Sequence, residues 1–161
     1  MMSKLTHIDD EGAVRMVDVT EKAVTDRAAV VGGEIAMRSE TVRLITIGEM
    51  PKGNVLETAR IAGIMAAKRT SEWIPLCHPI AITGVDLQFV VKEDRIEATA
   101  SVRVSDRTGV EMEAFTAVSA ALLTVYDMCK AVDKGMMIGK IRLLEKRGGR
   151  SGTYLAEGKR R

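Results

Sequence analysis

The feature that most constrains the fold is a long apolar run from Gly109 to Lys130, GVEMEAFTAVSAALLTVYDMCK. Neither Pro nor Gly interrupts it after Gly109, so the run predicts one helix about 30 Å long. At ~100° per residue, its polar side chains fall mostly on one stripe about 140° wide. The stripe consists of Glu113, Thr116, Ser119, Thr124, Asp127 and Lys130. A helix that is apolar over most of its remaining surface is usually covered on more than one side, so we expect it inside a core.

Charged groups stand at both ends of this predicted helix. Asp127 and Lys130 share one face, whereas Glu113 lies about 21 Å from Asp127 along the axis. One small substrate cannot contact both ends within a single chain. Two such helices packed antiparallel across a two-fold axis would bring Glu113 of one copy near Asp127 and Lys130 of the other. One hypothesis is therefore a composite site at a subunit interface. The other is that the charges only complement the helix dipole.

Composition predicts one globular domain over residues 1–161, with residues 1–14 and 148–161 flexible. Hydrophobic content is 46% and charged content 29%, which suits a soluble protein with a substantial core. A net charge of +2 and 3% aromatic residues argue against a nucleic-acid binder. No apolar run reaches the ~18 residues of a membrane span without polar interruption. Cys77 and Cys129 are typical of reduced thiols in a cytoplasm.

The order of predicted elements indicates an α+β fold. Gly32 and Gly33 mark a bulge or close backbone approach in the first strand, and Ser39 and Asn54 are candidate helix N-caps. The order suits an antiparallel sheet with helices on one face, in the split β-α-β arrangement. The predicted elements are an extended piece at 16–19, a strand at 27–38, helices at 39–47 and 54–69, a loop at 71–79, a hairpin at 82–104, the long helix, a strand at 137–145 and a basic tail.

Two segments before the hairpin carry candidate chemistry. Lys52 precedes a helix N-terminus, where free N–H groups attract phosphate; the alternative is an exposed loop lysine. The segment PLCHP (75–79) presents a thiol and an imidazole from a loop held by two prolines. His78 suits proton transfer or binding of a polar edge. Two more specific alternatives are a zinc site formed by Cys77, His78 and Cys129, and a Cys nucleophile. No standard zinc spacing is present in the sequence. Structural roles for both cysteines stay open.

Asp127 and Lys130 form the better acid–base pair. The carboxylate stabilises the charged amine, whereas burial would favour the neutral amine that acts as a base near neutrality. Lys146, Arg147 and Arg150 lie on or after the last strand and would bind phosphate if the tail folds over a site. A solvated tail is the alternative. No Walker P-loop pattern is present.

Seven motifs together resemble the cyclic pyranopterin monophosphate synthase family of molybdenum cofactor biosynthesis, and they run over nearly the whole chain in family order. The motifs are THID (6–9), MVDV (16–19), KGNVLETARIAGIMAAKRT (52–70), IPLCHP (74–79), TGVEMEAFTAV (108–118), TVYDMCKAVDK (124–134) and KRGGRSG (146–152). Two positions differ from the usual pattern. Arg150 replaces a lysine, which keeps charge but loses amine chemistry, and Phe115 replaces leucine.

The resemblance implies a ferredoxin-like fold and a hexamer built as a trimer of dimers, with sites at dimer interfaces. The implied reaction converts 3′,8-cyclo-7,8-dihydroguanosine 5′-triphosphate to cyclic pyranopterin monophosphate and releases pyrophosphate. The implied catalytic residues are Asp127, Lys130 and Lys52. The substrate-binding residues are expected to be Leu76, Cys77, His78, Glu111, Met112, Glu113 and Lys146.

No tightly bound cofactor is expected, although Mg²⁺ would suit the triphosphate; a protein-held metal cage is not evident in the sequence. We expect a cytoplasmic enzyme with no membrane or nucleic-acid partner. The alternative is a non-catalytic, nucleotide-binding ferredoxin-like oligomer, which the abundance of ordinary core residues around few polar ones would suit. A zinc hydrolase using Cys77 and His78 is a second alternative.

Overall fold

An antiparallel sheet is the framework of the computed structural model, which describes residues 7–9 and 11–157. The elements are β1 (Thr25–Ala36), α1 (Ser39–Ile47), α2 (Val55–Ala67), α3 (Thr70–Trp73), β2 (Gly84–Val91), β3 (Arg95–Asp106), α4 (Glu111–Cys129), β4 (Met137–Arg147) and β5 (Tyr154–Leu155). Within the described range the sheet has five strands in the order β2-β3-β1-β4-β5. Helices α2 and α4 pack beside each other on one face of the sheet. This is the predicted α+β, ferredoxin-like arrangement.

The core lies between α4 and the central strands. Alternate residues of β3 are buried from Ile96 to Val104, as the predicted hairpin requires. On α4, Ala117, Val118 and Leu122 are fully buried. By length and composition α4 alone, among the described residues, could cross a membrane, but 56% of the tested window is buried inside the fold. Its burial identifies α4 as the core helix of a globular domain.

A close approach of two helices holds α2 against α4. A Cβ placed on Gly63 of α2 would lie 2.8 Å from the Ala117 carbonyl oxygen of α4, a separation that real side chains do not adopt. The predicted cap at the start of α2 is confirmed, since the Asn54 side chain accepts from the Glu57 N–H at 3.1 Å. The start of α2 is therefore fixed next to the loop that carries Lys52.

The predicted irregularity at Gly32 and Gly33 is confirmed. The β1–β4 pairing changes register there, and a Cβ on Gly33 would lie 2.9 Å from side-chain atoms of Ile141 and Val118. The two glycines therefore let the bent strand approach α4 and β4 closely.

Several local predictions were wrong. Ser39 is the first residue of α1 rather than its cap; Arg38 holds the cap position and makes no side-chain cap bond. Residues 16–19, expected as a short extended piece, belong to no helix or strand, and their extended conformation stays a prediction. The loop after α2 contains the short helix α3, and the tail contributes β5, which pairs with Glu145 and Lys146 of β4. Flexibility of residues 1–14 and 148–161 stays a prediction, and residues 1–6, 10 and 158–161 lie outside the described residues.

Candidate active site

A cavity of about 500 Å³ opens at the N-terminal end of α4. The first turn of α4, the loop before β2 and the end of β4 contribute its walls. The structure brings together there all seven residues expected to bind substrate, which are Leu76, Cys77, His78, Glu111, Met112, Glu113 and Lys146. Three separate segments of the chain therefore converge on one site.

His78 is held by the segment that precedes β1. Its Nε2 lies 2.8 Å from the carbonyl oxygen of Val17. Because a carbonyl only accepts, this contact requires the hydrogen on Nε2. The neutral ring then keeps Nδ1 as its acceptor. The imidazole is thus fixed in orientation and in tautomer at the cavity wall.

Glu113 is the one buried carboxylate among the described residues of the cavity wall and is 4% exposed. Burial raises the pKa of its carboxyl to about 7, with a further contribution from the nearby charge of Glu111. Glu113 therefore changes protonation near neutral pH. A carboxyl of this kind can donate or accept a proton toward a bound molecule.

The environment of Cys77 disfavours a thiolate. Burial raises the pKa of its thiol, and the charge of Glu113 adds to the effect. A thiolate nucleophile requires the opposite shift. Cys129 lies at the far end of α4, buried in the core, where burial raises its pKa to about 11. The three ligands of the suggested zinc site, Cys77, His78 and Cys129, are therefore not brought together.

The sequence reasoning missed two cations of the cavity wall, Lys22 and Arg27. Arg27 bridges the end of β3 through bonds of 3.0 Å from Nε to Asp106 O and from Nη2 to Arg107 O. Pairing of β1 with β3 places Arg27 opposite Val104, a few residues before α4. An alignment of the predicted strands in that register would have located this arginine at the site.

A smaller basic cavity of about 240 Å³ adjoins the main one, and the two share five lining residues, which are Lys22, Arg27, Thr108, Gly109 and Ser151. Arg107 and Arg150 also line it. Lys146 belongs to the main cavity. Arg147 does not line either cavity and pairs with Glu145. Of the three tail cations considered from the sequence, two therefore reach the basic region.

The expected catalytic residues form a second cluster at the C-terminal end of α4. Asp127 accepts from two lysines, with Oδ2 at 2.6 Å from Lys52 Nζ and Oδ1 at 2.7 Å from Lys130 Nζ. Lys52 Nζ also donates to the Asp127 carbonyl oxygen at 3.2 Å. Hydrogen bonds from Lys130 and then Lys52 lower the pKa of the Asp127 carboxyl to about 2. The carboxylate is therefore ionised throughout the physiological range.

Lys130 is half-exposed in the single chain. Its hydrogen bond with Asp127 raises the pKa of its amine. The single chain therefore favours the charged form of Lys130, whereas burial would favour the neutral form. The cluster and the cavity lie at opposite ends of α4, about 21 Å apart along its axis. Within one chain, the structure does not bring Asp127, Lys130 and Lys52 to the cavity.

This fold and site define a small-molecule enzyme of the ferredoxin-like α+β class, with a cation-rimmed cavity and a separate Lys–Asp–Lys cluster. The chain belongs to the MoaC family, whose model matches residues 16–149.

Three curated relatives are similar over nearly the whole chain. The cyclic pyranopterin monophosphate synthase of Novosphingobium aromaticivorans is 59% identical over 155 residues, covering 96% of this chain and 99% of the relative. Cyclic pyranopterin monophosphate synthase 2 of Mycobacterium tuberculosis is 60% identical, covering 94% and 90%. The Heliobacterium modesticaldum synthase is 54% identical, covering 97% and 99%.

Proposed function

We propose that the chain converts 3′,8-cyclo-7,8-dihydroguanosine 5′-triphosphate to cyclic pyranopterin monophosphate and releases pyrophosphate. It is a lyase of molybdenum cofactor biosynthesis, as the names of its relatives indicate. The observation that carries the assignment to this site is the convergence of seven expected substrate-binding residues on one cavity. Its volume of about 500 Å³ suits a ligand of nucleotide size.

The positive charge of the cavity wall suits the binding of the triphosphate group of the proposed substrate. Lys22, Arg27 and Lys146 line the main cavity, and Arg107 and Arg150 line its basic extension. A triphosphate requires several cations, and departing pyrophosphate requires the same charge stabilisation. Among the described residues, no group of three or more His, Cys, Asp or Glu side chains could hold a metal ion. We propose that Mg²⁺ accompanies the triphosphate through its phosphate oxygens.

The proposed proton transfers use groups with different protonation states. Glu113, with a pKa of about 7 because of burial, exchanges protons near neutral pH. Asp127 stays ionised and orients Lys52 and Lys130, which supply positive charge and protons at the reacting atoms. His78 binds a polar edge of the substrate through Nδ1, since Nε2 is already bonded to Val17.

The proposed site is completed across a dimer. Large apolar side chains on the outward faces of α2 and α4 are exposed in the single chain, namely Ile61, Met65 and Leu123. Exposed apolar patches of this kind favour contact between subunits. Antiparallel packing of two α4 helices would place the Lys–Asp–Lys cluster of one copy over the cavity of the other and bury Lys130, which shifts its pKa downward.

The trimer-of-dimers hexamer extends this proposal and rests on the family resemblance. The two free cysteines suit a reducing compartment, and we place the enzyme in the cytoplasm.

Turnover of the cyclic dihydroguanosine triphosphate tests the proposed function directly. Purified protein should form the pyranopterin and pyrophosphate in equal amounts, measured by chromatography and a coupled pyrophosphate assay. A non-catalytic nucleotide-binding protein would bind the compound and leave it unchanged. Binding without turnover, in protein whose assembly is demonstrated, would therefore overturn the proposal.

A further inference from the structure

Asp133 is a buried carboxylate that the proposed reaction does not use. It follows α4 and is 5% exposed. Its Oδ2 accepts from the Arg38 N–H at 2.9 Å and from Thr41 Oγ1 at 3.0 Å, and its Oδ1 accepts from the Gly135 N–H at 3.2 Å. The Arg38 Nε lies 3.5 Å away. The Asp133 N–H bonds to Cys129 O at 3.0 Å. The side chain thus joins the end of α4 to the start of α1.

Helix α1 leads directly to the loop that carries Lys52. The helix stops at Gly48, whose left-handed backbone (φ 76°) allows its N–H to bond to Ile45 O. Lys52 then reaches back to α4, where Nζ contacts both Asp127 Oδ2 and Asp127 O. Helix α1 and its flanking loop therefore form a ring with the C-terminal end of α4. Asp133 closes one side of the ring, and the Lys52–Asp127 pair closes the other.

We propose that Asp133 is a positioning residue for Lys52. The Lys52–Asp127 closure is half-exposed, and exposed ion pairs constrain a structure only weakly. The Asp133 closure is buried and receives two donors from the start of α1, the Arg38 N–H and Thr41 Oγ1, so it holds α1 in one place. A displacement of about 1 Å at a reacting group is enough to reduce a rate on the order of 100-fold. The inference rests on the proposed catalytic role of Lys52.

A purely structural role makes a different prediction. If Asp133 only stabilises the start of α1, its loss lowers stability and affects turnover independently of Lys52. If it acts through Lys52, the two substitutions are coupled. A double-mutant cycle separates these cases.

The cycle combines Asp133→Ala with Lys52→Ala and measures kcat and KM for the cyclic dihydroguanosine triphosphate. In the presence of Lys52, we expect Asp133→Ala to lower kcat by about tenfold or more, with KM changed less than about twofold. In the Lys52→Ala background the same change should lower kcat less than about twofold. Equal losses in both backgrounds, or an unchanged kcat in folded Asp133→Ala protein, would overturn the proposal.

Two milder variants keep the test decisive if Asp133→Ala does not fold. Asp133→Asn retains one acceptor oxygen, so its kcat should lie between those of the wild type and the alanine variant. Thr41→Val removes one donor, from a residue that is 1% exposed, and keeps Asp133. Its loss of kcat should likewise disappear in the Lys52→Ala background, and persistence of the loss there would count against positioning.

Amine labelling supplies a readout that does not depend on turnover. Lys52 paired with Asp127 should acetylate slowly, and Asp133→Ala or Thr41→Val should increase its labelling rate several-fold, followed by mass spectrometry. Lys140 of β4, paired with Glu34 of β1 at 2.8 Å, is the internal control, and its labelling rate should not change. If wild-type protein makes no pyranopterin, the proposed function fails while this measurement still decides the positioning role. Unchanged Lys52 labelling in the folded variants would refute it.

Discussion

Asp127 is the side chain that both lysines of the C-terminal cluster contact. Each of its carboxylate oxygens accepts from a different lysine, at 2.6 and 2.7 Å. Hydrogen bonds from Lys130 and Lys52 lower its pKa to about 2. The charge of Asp127 is therefore constant near neutral pH, and in the proposed mechanism this carboxylate orients two amines rather than exchanging a proton itself.

Asp127→Asn should remove most of the activity without unfolding the protein. The amide presents one acceptor instead of two, so one lysine loses its partner, and we expect kcat to fall by about 100-fold or more. Exposed ion pairs contribute little to stability, so the unfolding midpoint should change little.

Glu40→Gln is the matched control for that prediction. It breaks another exposed pair, Glu40 with Arg43 at 2.7 Å on α1, and should leave kcat and KM unchanged. Steady-state kinetics and thermal unfolding of both variants provide the comparison. Wild-type kcat in Asp127→Asn protein would remove Asp127 from the mechanism.

Glu113 makes folding stability depend on pH with a definite sign. Burial raises its pKa from 4.5 to about 7 in the folded protein, so the folded state binds the proton more tightly than the unfolded state. Its contribution is fully present below pH 4.5 and is lost as pH rises through about 7. Glu113→Gln should therefore gain stability relative to wild type over this range, by on the order of 3 kcal/mol. Urea unfolding of both proteins at several pH values measures the difference, and parallel curves would contradict the prediction.

At the scale of elements, the packing of α2 on α4 depends on the absence of a side chain at Gly63. An added methyl would meet the Ala117 carbonyl at 2.8 Å and Leu87 Cδ2 at 2.9 Å. Alanine is the better helix former by about 1 kcal/mol, but a clash with backbone cannot be relieved by a rotamer change. The steric clash of an added Cβ therefore outweighs the gain in helix propensity.

Gly63→Ala should destabilise the protein by about 1–3 kcal/mol, because α2 must move away from α4. Gly139→Ala is the control, since a Cβ there meets nothing within 4 Å. Chemical denaturation of both variants tests the prediction. A stabilised Gly63→Ala protein would show that α2 can shift without loss of packing.

Sequence patterns predicted the large elements because those elements have strong periodicity. Strand β3 is buried on one face, so its apolar residues alternate with polar ones. Helix α4 is buried on several sides, so most of its circumference is apolar. Helix α3 and strand β5 contain four and two residues, which is too short for a period to be recognised. The cap assigned to Ser39 failed because the group that binds the start of α1 is Asp133, which no local pattern links to α1.

Some residues of the candidate site were predicted from the sequence and others were missed, because a local sequence pattern does not show contacts between distant parts of the chain. Motif resemblance selected the cavity residues of the loop at 74–79 and of the first turn of α4, and the structure places them together. Lys22 and Arg27 were missed because their position depends on the pairing of β1 with β3, a contact between distant parts of the chain. In the proposed dimer the cavity and the Lys–Asp–Lys cluster combine through a second copy, which the fold of one chain does not specify.

For the whole molecule, the separation of these two groups along α4 leads to a complementation test. Glu113→Ala removes the cavity carboxyl and Lys130→Ala removes the amine at the other end, and each protein alone should be inactive. If sites are shared across a two-fold dimer, a mixed dimer contains one site with both substitutions and one intact site. An equal mixture with random exchange should therefore recover about a quarter of wild-type activity.

The control mixture combines Lys52→Ala with Lys130→Ala, two substitutions in the same cluster. Each mixed dimer then has one substitution in every site, so activity should stay at the residual level of the two separate variants even though subunits exchange to the same extent. Exchange is measured by native mass spectrometry of isotope-labelled chains, and activity by pyrophosphate release. Recovery in the first mixture alone assigns Glu113 and Lys130 of each site to different copies. No recovery in either mixture, at complete exchange, would contradict a site that is shared between the two copies of a dimer.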